Sequence, residues 1–260
     1  MQWMDREQFG RRVLAGTFLN LGSAAAVEIA AETGFDWLLI DLEHGSGSLA
    51  DLRGMLLACR GSATAPVVRI RSVEPDTVKF VLDSGAAGIM FPFISSPEEA
   101  KRAVDCVKYP PRGTRGVAGI IRATHYGRNW QQYFAEANEQ SLVVVQIETP
   151  TAVEAAVDIA GVEGVDVLFV GPLDLSVSMG CPGDFTQPHF VRALEKVVAA
   201  CRAKGKPCGI LSRPELVQQH IELGFQFLAL GSDSGAVASG LTGYLRSMQA
   251  GGGASAQGQT

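Results

Sequence analysis

Short apolar runs alternate along this chain with stretches whose apolar positions recur at helical spacing. The runs at 13–19, 35–41, 66–70, 88–92, 142–148, 165–170, 207–211 and 225–230 predict eight strands. They are near-continuous in Val, Ile, Leu and Phe, as strands buried on both faces require. Between them, helices are predicted over 23–32, 49–59, 75–82, 97–107, 151–160, 188–203 and 214–223, with a last one over 234–248. A Gly- and Arg-rich excursion covers 109–139 and turns amphipathic around Trp130, and a short irregular loop follows the sixth strand. Gly34, Gly85, Gly164 and Gly224 stand where a helix ends and the next strand begins, the usual place for a left-handed helix stop. The alternation predicts an α/β fold, a single (β/α)8 TIM barrel over residues 1–250. A doubly wound open sheet is the alternative, but no G-x-G-x-x-G follows the first strand. Residues 251–260, small and polar, are expected to form a disordered tail.

In such a barrel the chemistry sits at the C-terminal ends of the strands. The second strand ends in Asp41, Glu43 and His44 ahead of the loop Gly45-Ser46-Gly47. Burying such groups is costly unless they have partners or a task. The third strand ends in Arg69, with Arg71 two residues on; the fifth ends in Gln146 and Glu148, again two apart and so on one face. The sixth leads into Gly171-Pro-Leu-Asp174, and the seventh and eighth offer Ser212 and Ser232. For any one of these residues a solvated rim is the blander explanation, whereas the whole set points to function.

Composition narrows the chemistry further. With 47% hydrophobic and 19% charged residues in 260, the chain suits a well-buried globular protein. The net charge of −5 argues against a nucleic-acid partner. No apolar run reaches the roughly 20 residues that span a bilayer, and the N-terminus lacks the pattern of a signal peptide, so a cytoplasmic location is expected. Five cysteines without a C-x-x-C pair read as reduced structural thiols. None of the six lysines (79, 101, 108, 196, 204 and 206) lies at a strand end, which disfavours a Schiff-base nucleophile. No glycine-rich phosphate loop follows strands seven and eight, and no Ser or Cys elbow is present, so phosphosugar isomerisation and acyl transfer are also disfavoured.

What remains is a set suited to enolate chemistry. Glu148 and Asp174, on adjacent strands, offer two hard oxygen ligands to Mg²⁺ or Mn²⁺. His44 can act as a base near neutral pH, and Arg69 can stabilise a developing oxyanion. Asp41 is placed to orient His44, while Glu43 has no firm role.

At these residues the chain resembles the HpcH/HpaI aldolase family, the metal-dependent class II pyruvate aldolases. The matching stretches are Phe35-Asp-Trp-Leu-Leu-Ile-Asp-Leu-Glu-His44, Val67-Val-Arg69, Tyr109-Pro-Pro-Arg-Gly-Thr-Arg-Gly-Val117, Val145-Gln-Ile-Glu-Thr149 and Gly171-Pro-Leu-Asp-Leu-Ser176. The resemblance implies reversible cleavage of a 4-hydroxy-2-oxo acid to pyruvate, or a related 2-oxo acid, and an aldehyde. It implies His44 as proton acceptor, directly or through a metal-bound water, and Arg69 as enolate stabiliser. Glu148 and Asp174 would hold Mg²⁺, Mn²⁺ or Co²⁺ with no organic cofactor, and Gln146, Asp174 and the backbone around Leu173 would contact the 2-oxo acid. Asp83 would raise the basicity of His44. Because Asp83 falls at the far end of its own barrel, it would serve across a subunit interface, in the hexamer (a trimer of dimers) typical of the family. Phe18 stands where some relatives carry Trp, at the aldehyde end of the substrate. Arg112, Arg115 and Arg122 are candidates for a distal carboxylate or for an oligomer interface. His125, His189 and His220 read as surface or helix residues. The rival activities are a citrate- or malyl-CoA-lyase-like cleavage on the same scaffold and a non-catalytic 2-oxo-acid-binding barrel.

Overall fold

A computed structural model describes residues 3–252. Eight parallel strands close into a barrel in sequence order, with the first paired to the last. The strands are β1 (Leu14–Leu19), β2 (Trp37–Asp41), β3 (Ala65–Arg69), β4 (Gly88–Phe91), β5 (Leu142–Ile147), β6 (Val167–Val170), β7 (Cys208–Ser212) and β8 (Phe227–Ser232). The helices that alternate with them are α1 (Ala24–Glu32), α2 (Leu49–Ala58), α3 (Pro75–Asp83), α4 (Pro97–Val107), α5 (Trp130–Gln140), α6 (Pro150–Glu154), α7 (Ala156–Gly161), α8 (Pro172–Ser178), α9 (Pro188–Ala203), α10 (Val217–Leu223) and α11 (Asp233–Gly252). The (β/α)8 expectation is met. Of the tail, Gly251 and Gly252 continue α11, and residues 253–260 lie outside the described residues.

Local sequence explains the element boundaries. Ser23, Ser48, Ser96 and Thr149 each cap a helix through the side-chain oxygen, and prolines open α3, α4, α6, α8 and α9, where a missing N–H costs little. The four glycines singled out as helix stops all have positive φ, from 93° to 113°. Four differences from the expected elements stand out. The second strand starts at Trp37, just after Asp36, whose carboxylate pairs with Arg12 and accepts the Ala15 N–H at 2.8 Å. The helix expected over 151–160 breaks at Ala155, whose ψ is 1°. The loop after β6 contains the seven-residue α8. The excursion forms a 3₁₀ turn, Arg122–Thr124, and then α5.

Two apolar layers hold the barrel. The outer one lies between strands and helices and includes Leu38, Ile40, Val68, Ile89, Val145, Leu168 and Ile210. The inner one fills the barrel with Trp37, Leu39, Val67, Met90, Val144, Phe169 and Phe227. Trp37 stacks on Phe227 with ring centroids 4.1 Å apart. It fits only because residue 16 is glycine: a Cβ there would lie 2.2 Å from the indole. Met4 joins the inner layer, and Arg6 binds Asp166 at the N-terminal mouth.

Side-chain alternation along the strands sets the position of the site. On β2 the inward residues are Trp37, Leu39 and Asp41; on β3 they are Ala65, Val67 and Arg69; on β5 they are Leu142, Val144 and Gln146. The first two of each triplet belong to the inner apolar layer, and the third is buried and polar. The C-terminal mouth is therefore a polar layer resting on an apolar floor.

One element stands apart. Helix α11 is tied to β1 at its start, where Asp233 accepts the N–H groups of Asn20 and Leu21 at 2.9 and 3.2 Å. From Gly235 to Met248 every residue is exposed, including Val237, Leu241, Tyr244, Leu245 and Met248.

Candidate active site

The mouth is organised by a buried ion pair. Register places Asp41 beside Arg69 across the β2–β3 ladder. Arg69 Nε donates to Asp41 Oδ1 at 3.0 Å and Nη2 donates to Oδ2 at 2.8 Å, a two-point fork that fixes the guanidinium plane. Burial acts to lower the Arg69 pKa, but the Asp41 hydrogen bond and charge outweigh it and hold it above its ordinary value. Beneath it, the Phe18 ring centroid lies 5.2 Å from Cζ. Phe18 is 6% exposed and forms part of the floor beneath Arg69.

A chain of contacts runs from this pair across the mouth. Arg69 Nη1 donates to Gln146 Oε1 at 3.4 Å, and Gln146 Nε2 donates to Glu148 Oε1 at 3.0 Å. The other Glu148 oxygen accepts the Phe93 backbone N–H at 2.9 Å. Phe93 holds that N–H in place from a left-handed backbone, φ 51°, an unfavourable conformation for a non-glycine residue. Gly171 leaves the room Glu148 needs, since a Cβ there would sit 2.4 Å from Oε1. Burial pushes the Glu148 carboxyl up to about 7; the neighbouring charges of Asp174 and Glu43 add to this, against the Phe93 N–H and Arg69. Glu43 is likewise raised, first by burial and then by Asp41 and Asp174, against Arg69 and His44.

Glu43, unassigned from sequence, is the link between Arg69 and His44. Its Oε2 lies 3.1 Å from Arg69 Nη1 and 3.8 Å from His44 Nε2. Yet this buried oxygen has no hydrogen-bond donor among the described residues. The His44 ring projects into solvent, its side chain 65% exposed. Asp41, expected to orient His44, meets it at the backbone. Asp41 Oδ1 accepts the backbone N–H groups of Glu43 and His44 at 3.0 and 3.3 Å, so it shapes the loop while its charge goes to Arg69.

Three carboxylates, Glu43, Glu148 and Asp174, therefore share a mouth whose one buried guanidinium is already neutralised by Asp41. Hard oxygens with excess negative charge and an unsatisfied buried acceptor fit a divalent cation. Among the described residues no group of three or more His, Cys, Asp or Glu is arranged to hold a metal. Glu148 and Asp174 would accordingly supply two protein ligands, with substrate and water completing the shell. Leu173 is 58% exposed beside them.

The remaining candidates lie elsewhere. Asp83 ends α3 at the opposite face and pairs with Arg115, Nη2 to Oδ1 2.7 Å. Arg115 is buried, bonds the Tyr133 hydroxyl at 3.0 Å and lies over the Tyr109 ring. Arg112 pairs with Glu139, and Arg122 donates to the carbonyls of Ser84 and Leu56. None of the three arginines reaches the C-terminal mouth of its own chain. Arg71 turns outward and binds the Leu42 carbonyl. His220 is a helix residue, on α10, and is buried, its Nδ1 2.8 Å from Ser212 Oγ. All five cysteines are buried and none forms a disulfide. No helix among the described residues is long and apolar enough to cross a membrane.

Known proteins share this arrangement of chain and barrel. The family described as HpcH/HpaI aldolase/citrate lyase matches residues 14–240. A 5-keto-4-deoxy-D-glucarate aldolase of Salmonella arizonae is 40% identical over 231 residues, 88% of this chain and 90% of that protein. The crystal structure of an HpcH/HpaI aldolase/citrate lyase family protein from Burkholderia cenocepacia J2315 superposes with a TM-score of 0.90 at 36% identity, covering 95% of this chain and 98% of that one. An HpcH/HpaI aldolase from Desulfitobacterium hafniense DCB-2 does so with a TM-score of 0.89 at 29% identity, covering 95% and 97%. With a matching sequence over nearly the whole barrel, the chain belongs to the HpcH/HpaI aldolase/citrate lyase family and is a carbon–carbon lyase.

Proposed function

We propose that this lyase carries out divalent-metal-dependent, reversible aldol cleavage of a 4-hydroxy-2-oxo acid to pyruvate, or a related 2-oxo acid, and an aldehyde. The observation that carries this reading is the unbroken chain Asp41–Arg69–Gln146–Glu148, which presents a fixed cation beside a buried, electron-rich carboxylate. When bound at Glu148 and Asp174, Mg²⁺, Mn²⁺ or Co²⁺ supplies Lewis-acid polarisation of the 2-oxo acid. Gln146 and the backbone at Leu173 orient the acid. His44, exposed at the rim, takes the proton of the C4 hydroxyl. The C3–C4 bond then breaks, the aldehyde leaves, and the bonding pair moves onto C3 and the C2 oxygen. Arg69, held in one plane by Asp41, faces that oxygen, where charge develops. Return of a proton to C3 gives pyruvate.

The 40%-identical relative is named for 5-keto-4-deoxy-D-glucarate. Read from its keto end, that compound is a 4-hydroxy-2-oxo acid with a second carboxylate, and it is the first substrate to try. Asp83 is held by Arg115 far from its own mouth and so acts on the His44 of a neighbouring chain, within a homohexamer built as a trimer of dimers. The uncovered apolar stripe of α11 supports such an assembly, and five buried cysteines without a disulfide suit a cytoplasmic location. Pyruvate release coupled to lactate dehydrogenase tests the activity: chelation and Glu148→Gln should each abolish it. Turnover that survives both would overturn the reading. Mixing Asp83→Asn with His44→Ala chains tests the assembly, since activity should return only in mixed oligomers.

A further inference from the structure

A cavity of about 380 Å³ lies at the N-terminal end of the barrel, away from the polar mouth. It is bounded by the last turn of α2 with Arg60, the turn at Gly85, and the loop from Arg122 to Arg128. Its volume sits at the lower end of the range for small-molecule pockets, roughly 300–1,000 Å³. Its ionisable lining has one sign: Arg60, Arg122, Arg128 and His125, with no carboxylate among the described residues that form it. Arg53 joins from the edge, donating to the Tyr126 hydroxyl at 3.1 Å. Such segregation is notable in a chain of net charge −5.

Part of this cluster has a structural use. Arg122 donates to the Ser84 carbonyl at 2.6 Å and to the Leu56 carbonyl at 3.1 Å, and so caps the carbonyl ends of α3 and α2. Arg60 and Arg128 have no such use. Both are exposed, and among the described residues neither side chain has an ion pair or hydrogen bond. The cations also act on one another. Burial lowers the pKa of Arg122, and Arg60 and Arg53 lower it further; Arg60, Arg122 and Arg128 act in the same sense on His125 after burial. The loop that presents His125 and Tyr126 is strained, with φ of 50° and 59° at these two residues before Gly127 at 90°. Two consecutive non-glycine residues in the left-handed region are a conformation that L side chains rarely adopt.

We propose that this cavity binds the phosphoryl group of a small phosphorylated metabolite through Arg60, Arg122 and Arg128. Guanidinium groups from two segments, the end of α2 and the loop 122–128, line the cavity together, and a phosphoryl dianion offers them more charge and more acceptor oxygens than a single carboxylate does. The volume leaves room for a short carbon skeleton beside the phosphate. The site lies at the opposite end of the barrel from its own chain's polar mouth.

Calorimetric titration of the full-length protein with glycerol 3-phosphate and with inorganic phosphate tests this. The wild type and Arg69→Ala should bind one equivalent with equal affinity. The Arg60→Ala/Arg128→Ala variant should bind at least tenfold more weakly while its cleavage rate in phosphate-free buffer is unchanged. Arg128→Glu, at an exposed position, should give the same loss. Tighter binding of the ester identifies a phosphorylated metabolite, and equal binding identifies free phosphate, either outcome supporting a phosphoryl site. No saturable binding, binding unchanged in the double variant, binding lost in Arg69→Ala, or equal affinity for a tricarboxylate would each overturn the proposal.

Discussion

Glu148→Gln should stabilise the metal-free protein at the same time as it abolishes activity. The wild-type carboxyl, 2% exposed, has its pKa moved from 4.5 to about 7. The raised value means that the fold prefers the protonated form. Stability is therefore fully present below pH 4.5 and is lost as pH rises through about 7. At about 1.4 kcal/mol per pH unit, ionising Glu148 at pH 8 costs the fold roughly 3 kcal/mol. A glutamine carries no charge, but with one acceptor oxygen it cannot accept from both Phe93 N–H and Gln146 Nε2, which returns about 1 kcal/mol. The net gain is about 2 kcal/mol, or roughly 4–8 °C in Tm for a chain of this size. Thermal unfolding in excess chelator should show the variant ahead at pH 8 and slightly behind wild type at pH 4.5, where only the lost acceptor counts. Added Mn²⁺ should raise the wild-type Tm and leave the variant's unchanged. A variant no more stable than wild type at pH 8 would refute the account of a carboxylate held uncompensated at the mouth.

Three other substitutions probe separate parts of the design. Asp41→Asn leaves Arg69 buried without its fork partner and should destabilise by about 3 kcal/mol, measured by urea unfolding, with kcat/KM reduced about 100-fold. Gly171→Ala puts a Cβ 2.4 Å from Glu148 Oε1; Mn²⁺ affinity, followed by metal-dependent activity, should fall about 10- to 100-fold while urea unfolding changes little. Gly16→Ala places a methyl 2.2 Å from the Trp37 indole and should cost about 3 kcal/mol through overpacking, seen as a lower Tm with metal affinity preserved in whatever protein remains folded.

The barrel was legible in the sequence because every repeat carries the same two signals, an apolar strand and a helix with its cap or its proline. The rim was legible for the same reason, since period-2 alternation marks the third inward residue of β2, β3 and β5. Partnership was not. Asp41 and His44 are close in sequence, yet the β2–β3 register gives Asp41 to Arg69, and register is a property of two strands that neither shows alone. Contributions from the backbone were also hidden: the Phe93 N–H and the space at Gly171 leave no side-chain signature. The burial of His220 within its helix and of Arg115 within its Gly-rich loop was hidden because their partners, Ser212 and Asp83, are seen only across the fold. Helix α8, at seven residues behind a Gly-Pro step, is too short to show a helical period.

The bare flank of α11 has a consequence for dynamics. From residue 235 to 248 no side chain of the helix is buried against its own barrel, and a helical stretch without packing has little intrinsic stability in water. In a lone chain these amides would open on their own, well below the free energy of global unfolding. Their hydrogen exchange is therefore a gauge: rapid exchange over 235–248 marks a solitary subunit, and slow exchange marks a cover that comes from outside the chain.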